Sequence, residues 1–165
     1  LLSEEGAAGK IANERSSLRV FLSRTPKRNA EGAAMTTHVT ETAAAPAELA
    51  VKHFEEMLAF ETDCWDVHES LKSGNPDFIV VDVRGPKAFA KGHVEGAINI
   101  PHREITAARM TEYPTDKTFV VYCAGPHCNA ANKAALRLAR LRLPVKMMIG
   151  GATGWIDEGL ILTAS

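Results

Sequence analysis

The residue of this sequence best placed for chemistry is Cys123. It follows the apolar run Val120-Val121-Tyr122 and opens the six-residue stretch Cys123-Ala124-Gly125-Pro126-His127-Cys128, which leads into Asn129. A thiol at the carboxyl end of a strand, with a helix starting soon after, sits where loop N–H groups and the free N–H groups of the helix converge. The helix dipole adds positive potential at the same place. Such surroundings favour the thiolate, and cysteine pKa values there fall to roughly 3.5–7.5. The spacing therefore predicts a partly ionised Cys123 at neutral pH, able to attack a sulfane sulfur and hold it as a persulfide.

The rest of the loop has types that suit this task. Gly125 permits a positive φ or a close backbone approach, and Pro126 stiffens the turn. His127 is the one ionisable base or cation of the loop, fit to meet an anionic donor or relay a proton; the plainer alternative is an exposed histidine with no role. Cys128 has two readings as well. It is a second thiol that attacks the persulfide or closes an internal disulfide, or it is a small loop residue in a Ser/Thr-like position. Bridging needs the two Cα atoms within roughly 7 Å.

The elements that must position this loop are legible in outline. Apolar runs over 78–83, 97–100, Thr118–Tyr122 and 145–149 predict strands, the first of them buried on both faces. Helical spacing predicts helices over Ala47–Phe60 and Cys64–Lys72, the second capped by Asp63 and stopped by Gly74. Further helices are expected over Pro86–Lys91, 103–110, 129–141 and 154–158. The apolar stripes of the first two are expected to pack on the core. Strand and helix alternate over this stretch, which argues for an α/β domain with a mainly parallel sheet. In such sheets the working crevice lies beyond the carboxyl ends of the strands. That places Asp82 and Arg84 on the active edge, Asp82 as a buried acceptor of backbone hydrogen bonds and Arg84 as its partner or as a contact for an anionic donor. His93 is expected to hold a loop in place, and Trp155 to pack under the loop edge with its indole N–H satisfied. A zinc site from Cys64, His68, Cys123, His127 and Cys128 is set aside, because the spacing lacks paired ligands.

Three segments resemble the hallmarks of the rhodanese-like domain family. They are Val80-Val81-Asp82-Val83-Arg84 followed by Phe89 and by Gly92-His93-Val94-Glu95-Gly96-Ala97-Ile98-Asn99-Ile100-Pro101; Val120-Val121-Tyr122-Cys123 with its loop; and Ile149-Gly150-Gly151-Ala152-Thr153-Gly154-Trp155. The resemblance covers about 64–162. It implies an α/β rhodanese-like fold with a central, mainly parallel sheet and helices on both faces. It also implies a persulfide-forming Cys123 and an active-site loop from Cys123 to Cys128, with Asn129 beyond it. Phosphatases that resemble this fold use a loop one residue longer that ends in Arg. Here no Arg lies between Cys123 and Asn132, so phosphoryl transfer would lack its main electrostatic support. The loop also differs from the basic or Gly-Val-Thr-like loops of thiosulfate-type and mercaptopyruvate-type members, which leaves the donor open. The function expected is transfer of sulfane sulfur from a donor such as thiosulfate to a thiophilic acceptor. The alternative is a non-catalytic binding or redox-sensing module that uses Cys123 and Cys128. No cofactor and no metal is expected.

Bulk properties bound the rest. The chain has 165 residues, 45% of them hydrophobic, and a formal net charge of -1, so overall charge gives no argument for nucleic acid or an anionic membrane. No apolar stretch of about 18 residues occurs. Three cysteines do not make a disulfide framework and fit a reducing compartment such as the cytoplasm. The partners expected are a small-molecule or protein sulfur donor and acceptor. Residues 1–46 are read as a disordered N-terminal extension, with Met35 as the natural start and 36–46 as a flexible Thr/Ala/Pro-rich leader. Residues 47–63 are read as a helix and a connection, and 64–162 as the domain.

Overall fold

A computed structural model describes residues 36–164; the readings of residues 1–34 and of Met35 lie outside them. Residues 36–46 belong to a separate unit. They are exposed and contain one turn, in which the Thr40 N–H donates to the Thr37 carbonyl at 3.0 Å and the Thr37 N–H to Thr40 Oγ1 at 2.8 Å.

The second unit runs α1 (Ala47–Phe60), β1 (Glu61–Thr62), α2 (Cys64–Lys72), β2 (Phe78–Asp82), α3 (Pro86–Lys91), β3 (Ile98–Asn99), α4 (Ala107–Met110), β4 (Thr118–Tyr122), α5 (Ala130–Arg140), β5 (Val145–Met148) and α6 (Gly151–Asp157). The five strands form one sheet in the order β1-β5-β4-β2-β3, and every pairing is parallel. Valines dominate β2 and β4 because a central parallel strand is covered on both faces. Successive side chains therefore enter two different cores. Val81, Phe119 and Val121 pack with Ala131, Ala134 and Leu138 of α5 on one face. Val80, Val120 and Tyr122 pack with Cys64 and Val67 of α2 and with Ala152 and Trp155 of α6 on the other. This is the α/β sheet with helices on both faces that the pattern implied.

Register fixes the active edge. Asp82 lies opposite Tyr122 in the β2–β4 ladder, so Cys123 follows directly at the carboxyl end of a central strand.

Several boundaries differ from the sequence expectation. The helix expected over 103–110 is confined to Ala107–Met110. The Pro101 carbonyl accepts the Glu104 N–H in a turn at 2.7 Å, and Thr106 caps the helix by accepting the Arg109 N–H at 3.2 Å. The helix expected over 154–158 begins earlier, at Gly151, after Gly150 with φ +81°. Glycine is a weak helix former, so that start is invisible to propensity. The β1 strand was read as a connection. Its two residues are too few to show a period, yet they extend the sheet beyond β5.

The α1 helix does not pack as its stripe implied. None of its residues is buried, and Phe54, Leu58 and Phe60 are each more than half exposed. It is tied at its carboxyl end, where Lys146 Nζ donates to the Leu58 carbonyl at 2.8 Å. Amphipathic spacing reports that a face is apolar, not that the chain has something to cover it. Among the described residues no helix is long and apolar enough to cross a membrane.

Candidate active site

The floor of the active edge is a buried polar network. Asp82 is fully buried. Its Oδ1 accepts the Arg84 backbone N–H at 2.9 Å and Arg84 Nε at 3.0 Å. Its Oδ2 accepts an Arg84 terminal N–H and the Tyr122 hydroxyl, the latter at 2.9 Å. The same Arg84 nitrogen donates to the Gly92 carbonyl at 2.6 Å, and the Tyr122 oxygen accepts the Val94 N–H at 3.0 Å. Burial, followed by the Asp82 charge, pushes the Tyr122 pKa up, so its hydroxyl remains a donor. Asn99, which sequence reading did not single out, donates both amide hydrogens at 2.9 Å, to the carbonyls of Asp82 and Arg84. Every member thus has partners, as a buried network requires. Arg84 pairs with Asp82 and with the Gly92 carbonyl through Nε and one terminal nitrogen. His93 stacks on Phe89 at 3.7 Å, and its backbone bridges to Thr163, so it does hold a loop in place.

Above this floor the loop is clamped by the start of α6. The Ala152 N–H donates to the Cys123 carbonyl and the Thr153 N–H to the Ala124 carbonyl, each at 2.9 Å. Thr153 Oγ1 adds a second bond to Ala124 at 2.8 Å. The loop then closes in a turn, with the Cys128 N–H on the Gly125 carbonyl at 3.0 Å. Gly125 is buried under Thr153: a Cβ there would meet Thr153 Oγ1 at 2.8 Å. Pro126, His127 and Asn129 are exposed. Asn129 occupies the N-cap of α5 without a side-chain cap bond. Thr153 and Gly151 were missed as loop supports; the Gly150-Gly151-Ala152-Thr153 run was their only sequence signal.

Cys123 lines a cavity of about 280 Å³ together with Gly125, Pro126, Cys128, Ala131, Asn132 and Met147 to Gly151. A cavity of about 230 Å³ lies at the opposite end of the strands, lined by Phe78 and Thr118. The carboxyl-end rule favours the first, and so does the thiol.

The thiols themselves correct one expectation. Cys123 is 3% exposed, and its hydrogen is directed to the Cys128 carbonyl at 2.9 Å. Burial pushes its pKa above the ordinary value. The N–H groups of Ala131 and Gly125 oppose that shift, and the neighbouring Cys128 thiol reinforces it. Cys128 is partly exposed and goes the other way. Burial raises it, but the N–H groups of Ala130 and Ala124, the Cys123 thiol and the Lys133 charge outweigh burial and bring it below the ordinary value. Burial and the second thiol, which the spacing of the loop does not show, oppose the effect expected of the loop amides and the helix start on Cys123. Lys133 was also missed. It acts on His102 too, whose pKa is lowered by burial and then by Arg103, Lys133 and Arg137.

Cys64 belongs to the other face. Its thiol donates to the carbonyls of Ile149 and Gly151 at 3.4 and 3.6 Å, and burial pushes it up to about 11. A thiol with a raised pKa reacts slowly at pH 8, since the thiolate is the nucleophile. Iodoacetamide at that pH is expected to label Cys128 first and to leave Cys64 intact until the protein is unfolded, as read by mass spectrometry of the peptides. Equal labelling of the two in the native protein would contradict this order. Trp155 is 3% exposed and its indole N–H finds the Ile161 carbonyl at 3.1 Å.

The rhodanese-like domain model matches residues 65–158. The chain belongs to the rhodanese-like domain family. It is 30% identical over 89 residues to a sulfurtransferase of Allochromatium vinosum, with 53% of this chain and 80% of that protein covered. It is 39% identical over 87 residues to the HTH-type transcriptional regulator Rv0324 of Mycobacterium tuberculosis, covering 48% of this chain and only 38% of the regulator. Among solved structures it is similar to the BH2092 protein of Bacillus halodurans, at 35% identity and a TM-score of 0.70, covering 72% of this chain and 87% of that one.

Proposed function

We propose that the protein is a sulfurtransferase in which Cys123 takes a sulfane sulfur from a donor such as thiosulfate and passes it to a thiophilic acceptor. Deprotonated Cys123, its proton lost to water, attacks the outer sulfur of the donor. The donor's S–S bond breaks, sulfite leaves with the electron pair, and a persulfide remains on Cys123. The observation that carries this reading is Cys123 on the wall of a cavity of about 280 Å³ at the carboxyl end of a central strand, where the N–H groups of Ala131 and Gly125 favour its anion. Fixed amides act in the same way on other developing charges. The loop side chains Ala124, Pro126 and His127 add no anion clamp like an Arg, so the backbone sets the binding of a small anionic donor. Asp82 and Arg84 support the strand end from below. Donor and acceptor are small molecules or proteins, and a reducing compartment such as the cytoplasm keeps the thiols free.

The test is the mass of the tryptic peptide spanning 118–133 after treatment with thiosulfate, mercaptopyruvate or a small persulfide. Sulfite release in the thiosulfate arm, or sulfur added to the peptide, is expected in the wild type and lost in Cys123→Ser. A wild type that gains no sulfur from any of the three and releases no sulfite from thiosulfate would sink the proposal.

One observation favours the second reading, a redox-sensing module: Cys123 is 3% exposed and its thiol contacts the backbone of Cys128, a second and more exposed cysteine. That reading predicts reversible dithiol–disulfide interchange without sulfur uptake.

A further inference from the structure

The sulfurtransferase reading uses one of the two thiols in the cavity and leaves the more exposed one idle. Cys128 closes the same loop. Its carbonyl accepts the Cys123 thiol at 2.9 Å, and each thiol shifts the pKa of the other. The turn between Gly125 and Cys128 folds the end of the loop back, and the contact of the Cys123 sulfur with the Cys128 carbonyl sets the two residues side by side. A small loop residue kept only for its size would have no use for an anion-favouring setting. Cys128 has one, in the N–H groups of Ala124 and Ala130 and the Lys133 charge. It is also the more exposed of the two.

We infer that Cys128 is a resolving thiol, which attacks the inner sulfur of the Cys123 persulfide, closes a Cys123–Cys128 disulfide and expels the outer sulfur as hydrosulfide. This rests on the persulfide reading above. The balance is complete within the protein and its donor. The Cys128 thiolate supplies the electron pair of the new S–S bond, and the outer sulfur leaves with the pair of the old one. The sulfane sulfur is reduced to sulfide while the two cysteine sulfurs are oxidised to the disulfide. Summed with the first step, two thiols and thiosulfate give a disulfide, sulfite and hydrogen sulfide. The outer sulfur is a good leaving group for thiol–disulfide exchange. A dithiol reductant then restores both thiols, so turnover depends on a dithiol, and the product is free sulfide.

The experiment compares wild type, Cys128→Ser and Cys128→Ala. All are freed of reductant and matched for cooperative thermal unfolding, so that a misfolded variant is recognised and the other one used. Each is mixed with thiosulfate, and separately with inorganic polysulfide. Released sulfide is measured alongside the mass of the 118–133 peptide. The expected result is a sulfide burst close to one per chain in the wild type, with a peptide lighter by two hydrogens. In both variants the burst from thiosulfate is lost and the peptide keeps one added sulfur; in the polysulfide arm, where uptake itself releases sulfide, the peptide mass alone is read. A wild type that keeps its persulfide as long as the variants, and releases no more sulfide than they do, overturns the resolving role while leaving sulfur uptake intact. If the variants gain no sulfur from either probe, sulfur uptake fails and the resolving role falls with it.

Discussion

Asp82→Ala is expected to lower the free energy of unfolding by about 3–5 kcal/mol, the usual cost of removing one member of a buried ion pair. The carboxylate is fully buried and serves four donors at once. Alanine strands the Arg84 guanidinium, whose side chain is only 15% exposed, and leaves the Tyr122 hydroxyl without its acceptor in a dry site. The loss is a large share of the roughly 5–15 kcal/mol that holds a typical domain folded. Urea unfolding should show a lower midpoint at an unchanged slope. Arg84→Ala should cost less, because Asp82 then keeps the Arg84 backbone N–H and the Tyr122 hydroxyl. Removing both side chains should recover part of the Asp82→Ala loss. Matching midpoints for wild type and Asp82→Ala would show that the network does not hold the strand ends together.

Gly151→Ala is expected to slow sulfur uptake by about 100-fold, the order of effect seen when reacting groups are misplaced by an ångström. Gly151 has φ +60°, and a Cβ there would lie 2.6 Å from the Cys123 carbonyl oxygen and 3.0 Å from the Gly125 nitrogen. Both are backbone atoms of the loop, so the loop must move, and the bonds from Ala152 and Thr153 that clamp it must stretch. Gly159→Ala separates this clash from simple backbone strain. Gly159 has φ +76° with nothing within 4 Å of its missing Cβ. It should therefore show only the roughly 1–2 kcal/mol of left-handed strain, with sulfur uptake unchanged. Stopped-time mass measurements on the 118–133 peptide give the rates. If the two variants take up sulfur equally fast, contact between Gly151 and the loop does not govern reactivity.

The parts of this protein that were legible in its sequence are those whose cause is local. The β2 and β4 strands announce themselves because strands covered on both faces carry near-continuous apolar runs. The loop from Cys123 to Cys128 is contiguous, and its place between a strand and a helix follows from its neighbours alone. What escaped is set by distant segments. Glu61 and Thr62 are strand only because Met147 and Met148 lie beside them. Thr153 and Asn99 matter through carbonyls 29 and 17 residues away. Dipole and amide arguments read the loop as if it stood in solvent. The structure adds burial and a second sulfur, and together they hold the Cys123 thiol above its ordinary pKa.

The strand order has a kinetic consequence. The last strand to be synthesised, β5, is inserted between the first, β1, and the central β4. Until Val145–Met148 has left the ribosome, β1 has no neighbour and β4 exposes an open edge to other chains. Pairing of this kind is long in sequence and slow to form. The emerging polypeptide must therefore wait, unclosed and dependent on shielding, until almost all of the domain has been translated.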